Sequence, residues 1–62
     1  MTIEELRNLR GKDVRIKDSW GYVVLVNEAT GELMLSGWAG LKTVTKRADQ
    51  IQQVRLPEDR EN

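Results

Sequence analysis

The chain has 62 residues, ten basic and ten acidic, with neither cysteine nor histidine. That length allows one domain with a thin core. The missing residue types exclude disulfides, Cys/His metal clips and thiol or imidazole catalysis, and the balanced charge lacks the footprint of a dedicated nucleic-acid binder.

MTIEELRNLR is charged and periodic rather than a signal peptide. No apolar run nears the ~20 residues of a membrane helix, so a soluble, cytoplasmic protein is expected. The pattern predicts a short helix over 2–10, with Thr2 as cap and Glu5 completing a capping box. Ile3, Leu6 and Leu9 form its apolar stripe, Arg7 and Arg10 suit its C-terminal dipole, and Gly11 is placed as the stop. About nine residues are too few for a helix that stands alone. The stripe must dock over the open end of a barrel or on a partner.

Gly11–Ser36 then reads as a three-strand meander. DVRIK alternates, with Val14 and Ile16 on one face and Asp13, Arg15 and Lys17 on the other; YVVLV is apolar on both faces; ELMLS puts Leu33 and Leu35 on one face. Asp18–Gly21 is the expected first turn, with Gly21 at positive φ, and Asn27–Gly31 the second, with Gly31 left-handed. Gly37–Gly40 lifts Trp38 into a loop. Leu41–Lys46 is an edge strand with lysine gatekeepers, Arg47–Gln50 a single helical turn and Ile51–Leu56 the last strand. Residues 57–62, PEDREN, read as a flexible, frayed tail. The expectation is one domain over 1–56: helix 2–10 and barrel 11–56.

This order resembles the SH3-like small β-barrels. GKDVRIKDSWGYVVLV resembles the opening of KOW-type barrels, and RADQIQQV resembles their closing 3-10 turn and strand. The resemblance covers residues 11–56 and extends to Tudor and Sm-type domains. It implies an all-β fold with one short N-terminal helix, a five-stranded barrel with a 3-10 turn before the last strand.

No catalytic constellation is present. Ser19 and Ser36 have no histidine base, and Asp13, Asp18 and Asp49 are scattered singly with no metal-loop spacing. The chain therefore reads as non-enzymatic, with no cofactor and no metal. The aromatics are Trp20, Tyr22 and Trp38. A meander places alternate loops at one end, so Trp20 and Trp38 should meet there, near Tyr22. They would either plug the barrel or form a binding mouth, resembling the Tudor arrangement for methylated side chains, in which cation–π attraction holds the ligand. Lys12, Arg15, Lys17, Lys42, Lys46 and Arg47 are candidate basic contacts, interleaved with carboxylates. The function expected is a non-catalytic binding module, a protein-interaction adaptor or accessory subunit. RNA or single-stranded nucleic-acid binding and a structural homo-oligomer are the alternatives.

Overall fold

In the computed structural model, which describes residues 2–60, the chain begins with the expected capping box. The Glu5 amide donates to the Thr2 hydroxyl at 3.1 Å, while the Glu5 carboxylate accepts from the Thr2 amide at 3.3 Å. Helix α1 spans only Ile3–Arg7, shorter than the expected 2–10. After it the chain tightens into i→i+3 bonds, from the Leu9 amide to the Leu6 carbonyl and from the Lys12 amide to the Leu9 carbonyl. At three residues per turn, i and i+3 eclipse. Leu6 and Leu9 therefore both turn inward and are buried, while Ile3, expected in the same stripe, is 60% exposed. Arg7 ties α1 to the loop around Glu28 through a 2.8 Å ion pair.

Five strands follow: β1 (Asp13–Ile16), β2 (Ser19–Asn27), β3 (Glu32–Ser36), β4 (Thr43–Arg47) and β5 (Gln53–Arg55). They form one antiparallel sheet in the order β4-β3-β2-β1-β5. A 3-10 turn, Ala48–Gln50, precedes the last strand. No ladder among the described residues joins β4 to β5, so the sheet is open at two edges where a closed barrel was expected. β4 does lie at an edge, as its lysine-bearing sequence implies.

β2 is longer than YVVLV and explains the doubly apolar run. Its register against β3 shifts between Val23 and Leu25. A bulge there reverses the alternation. Val23 and Val26 consequently share the inner face with Leu33, Leu35 and Val44, their opposite partners, while Leu25 joins Met34 and Thr45 on the outer face. The inner face of the sheet, α1 and Ala48 enclose the core of Leu6, Leu9, Val14, Ile16, Val23, Leu33 and Leu35, with Trp38 and Ile51 packed against it.

The first turn also differs from expectation. Ile16 pairs with Ser19, so the turn is Lys17-Asp18, and Lys17 takes the left-handed conformation at φ 57°. Gly21 lies inside β2, where a Cβ would meet Trp38 Cβ at 2.9 Å and Leu35 Cβ at 3.2 Å. Close approach is thus what requires glycine there, not a turn. Gly31 is left-handed as expected, at φ 75°, and its amide donates to the Asn27 carbonyl at 2.9 Å.

In the expected tail, Pro57–Asp59 form a 3-10 turn, and Arg60 contacts Asp13. Met1, at the start of the expected domain, and Glu61 and Asn62, in the expected tail, lie outside the described residues. No helix among the described residues is long and apolar enough to cross a membrane.

Candidate functional site

Directly opposite residues of antiparallel strands share a face. With Val14 and Ile16 turned inward, Asp13 and Arg15 point outward. Asp13 lies opposite Tyr22 on β2 and Arg55 on β5, and Arg15 opposite Trp20 and Gln53. Tyr22 in turn faces Ser36 on β3. The outer face therefore carries one row, Arg55–Asp13–Tyr22–Ser36, beside another, Gln53–Arg15–Trp20.

Asp13 is only 2% exposed although it is on this outer face. Arg60 covers it with a two-pronged contact, Nε to Oδ2 and Nη2 to Oδ1, and Arg55 Nε adds a 3.3 Å bond to Oδ2. Arg55 also lies over the Trp20 ring, 4.0 Å from its centroid, and Arg60 stands 5.8 Å from the Tyr22 ring. The Arg60 hydrogen bond holds the Asp13 carboxyl below its usual range, opposed by burial and reinforced by Arg55. The same contact raises the Arg60 pKa. A carboxylate pinned in this way is a poor proton acceptor and a good anchor for a cation. The site is a shallow cleft of about 240 Å³, lined in part by Asp13, Trp20, Tyr22, Ser36, Arg55 and Arg60.

The three aromatics divide between the faces. Trp20 and Tyr22 lie two residues apart on β2 and share the outer face. Trp38 is on the inner side, pressed against Gly21, and its indole Nε1 donates to the Ile16 carbonyl at 3.1 Å. Lys46 lies 4.2 Å from its ring centroid. Trp20 and Trp38 are thus at one end of the sheet, as the meander implies, but the sheet itself separates them. The physical reason is the short first turn, which leaves Trp20 in a strand with its side chain fixed by the pleat.

The basic candidates do not gather into one patch. β1, with Arg15, and β4, with Lys46 and Arg47, are separated by two strands. Arg15 bonds Gln53 at 3.1 Å, with Asp18 at 3.4 Å, and Arg47 pairs with Asp49 at 2.7 Å. Lys46 covers Trp38 on the inner side. Lys12 immediately precedes β1, where its carbonyl accepts from the Val23 amide; Lys17 is in the first turn, and Lys42 precedes β4.

Sequence reasoning passed over Asp13, Arg55 and Arg60. In the sequence Asp13 is one singly placed carboxylate among several, and its partners lie 42 and 47 residues away. Strand pairing brings Arg55 to Asp13, and the 3-10 turn after β5 brings Arg60. Among the described residues no group of His, Cys, Asp and Glu is placed to hold a metal. Compared with models of protein families, with curated proteins and with solved structures, the chain matches none of them.

Proposed function

We propose that this chain is a non-catalytic SH3-like module that binds a protein partner through the outer face of its sheet, as an adaptor or accessory subunit. The SH3-like reading is supported by the strand order and by the link from β4 to β5. Residues 48–52 carry the chain from one edge to the other, across four strand spacings of about 4.8 Å, with three of them wound at about 2 Å each. The link bonds β2–β3 and β1 on its way, through the Ala48 amide to the Gly31 carbonyl and the Gln52 amide to the Arg15 carbonyl, both at 2.8 Å. So short a path favours a sheet curled toward closure.

The observation that carries the binding reading is the exposed strip on the outer face. Tyr22 is 37% exposed, Leu25 52% and Met34 38%, on neighbouring strands and continuous with Trp20. An apolar strip with a polar rim on one open sheet face marks an interaction surface. The test compares the wild type with a Leu25→Glu, Met34→Glu variant, both immobilised and exposed to lysate from the source cells. Loss of a specific protein by the variant, at unchanged melting temperature, is expected. Equal capture by both, or retention only of RNA that elutes steeply with salt, would overturn the reading. Light scattering of the pure protein identifies the third case, in which the open edges of β4 and β5 build a homo-oligomer.

A further inference from the structure

The contact between Arg60 and Asp13 differs in kind from the rest of the framework. The backbone bonds of the tail are local: the Asp59 amide donates to the Leu56 carbonyl at 2.9 Å and the Arg60 amide to the Pro57 carbonyl at 3.2 Å. Its described polar link to the sheet is the Arg60 guanidinium, whose side chain is 47% exposed while the Asp13 side chain is 3% exposed. A fork of two N–H groups on two carboxylate oxygens beside an aromatic ring is how a protein holds an arginine of another molecule. Arg55 has a different part. Anchored in β5 and stacked on Trp20, it forms a wall of the cleft and gives Asp13 one longer bond.

We propose that Asp13, Tyr22 and the Trp20–Arg55 wall form a guanidinium-binding site, occupied by the chain's own Arg60, which an arginine side chain of a protein partner takes by displacing Arg60. The proposal rests on the protein-binding reading above and names the side chain recognised. Three features favour this occupant. Arg60 is what covers Asp13, so its departure opens to the cleft a carboxylate that keeps one Arg55 bond and has a free edge for another guanidinium. A lysine offers a point charge and cannot reproduce the fork. Ser36 of the cleft and Met34 of the exposed strip are alternate residues of β3 on the same face, so a bound chain that enters the cleft runs on along the strip. A tethered competitor acts at an effective concentration in the millimolar range. It therefore raises the apparent Kd of any incoming arginine by the inverse of the fraction of time the site stands free.

The test titrates the full chain with acetyl-Gly-Arg-Gly-amide and with its lysine counterpart, following the backbone amide signals of Asp13, Tyr22 and Ser36 by NMR. Arg60→Ala is expected to bind the arginine peptide at least about tenfold more tightly than the wild type. The lysine peptide should produce no matching response, and Asp13→Asn in the Arg60→Ala background should abolish binding. Equal affinity of wild type and Arg60→Ala, no binding by either, or equal response to lysine would overturn the proposal. Should Arg60→Ala fail to fold, Arg60→Lys is read in the same way. Loss of the fold in both would make Arg60 part of the framework and also overturn it. Failure of the peptide with continued dependence of partner capture on Leu25 and Met34 would remove the guanidinium site alone.

Discussion

Trp20 and Trp38 occupy the same end of the sheet and serve its opposite faces. Trp38 lies against Gly21 and the core, with its indole N–H satisfied by the Ile16 carbonyl. Trp20, beside Gly21 in sequence, lies on the outer face under Arg55. One ring replaces core that a short chain without phenylalanine would otherwise lack. The other gives the outer face a flat surface on which an arginine stacks. Residue type alone therefore does not assign a role here; the pleat of β2 turns Trp20 outward, and the 3-10 turn after β3 returns Trp38 to the inner side.

The largest effect expected is on the inner ring. Trp38→Ala should cost about 2–3 kcal/mol, through the packing on the core and the indole N–H bond it loses, and so small a domain has little stability to lose. Trp20→Ala should cost about 1 kcal/mol, mainly the stacking of Arg55. Urea denaturation of both variants reads the difference directly, and equal costs would break the division between faces. Gly21→Ala comes next. Its Cβ would lie 2.9 Å from Trp38 Cβ, and overpacking of this kind costs about 1–3 kcal/mol. A neutral Gly21→Ala would mean that Trp38 does not press on β2.

Much of the framework is legible in local chemistry. The capping box, the Gly31 loop, the ELMLS strand and the 3-10 turn before β5 each depend on residues close in sequence, and each forms. Errors arise where distant contacts override a local signal. Gly21 carries a turn signal, but its missing side chain makes room for Trp38, 17 positions on. No local pattern announces the contact of Arg60 with Asp13, 47 positions away. YVVLV reads as covered on both faces because a bulge leaves no mark in apolar periodicity. The candidate site fares worst for the same reason. Trp20 and Tyr22 stand out as rare aromatics, whereas Asp13, Arg55 and Arg60 become a site through the β1–β5 pairing and the 3-10 turn that follows it.

Acid should separate the faces differently. The Asp13 pKa is lower in the folded chain than its ordinary value. Its contribution is therefore present above the unfolded carboxylate range, about pH 4, and is lost as pH falls through the lowered folded value. The urea midpoint should decline below about pH 4, and Asp13→Asn should be less stable at pH 7 and flatter in acid. Identical acid limbs for the two proteins would remove Asp13 from the outer-face network. Trp20 emission should follow the same acid transition before Trp38 does, because Arg55 and Arg60 bridge Asp13 to the outer rings.

The smallest effect expected tests the turn that places Trp20 outside. With Ile16 opposite Ser19, Lys17 must sit at φ 57°, where an L-residue pays roughly 1–2 kcal/mol. Glycine removes that strain but loses roughly 0.5–1 kcal/mol of chain entropy on folding. Lys17→Gly should therefore raise stability by about 0.5 kcal/mol, seen as a small upward shift of the urea midpoint. If the turn were Asp18–Gly21 instead, Lys17 would be a strand residue, and glycine there would lower stability by a similar amount. The sign of this one change thus reports the register. That register decides whether Trp20 lies in a loop beside Trp38 or in a strand with its ring on the outer face.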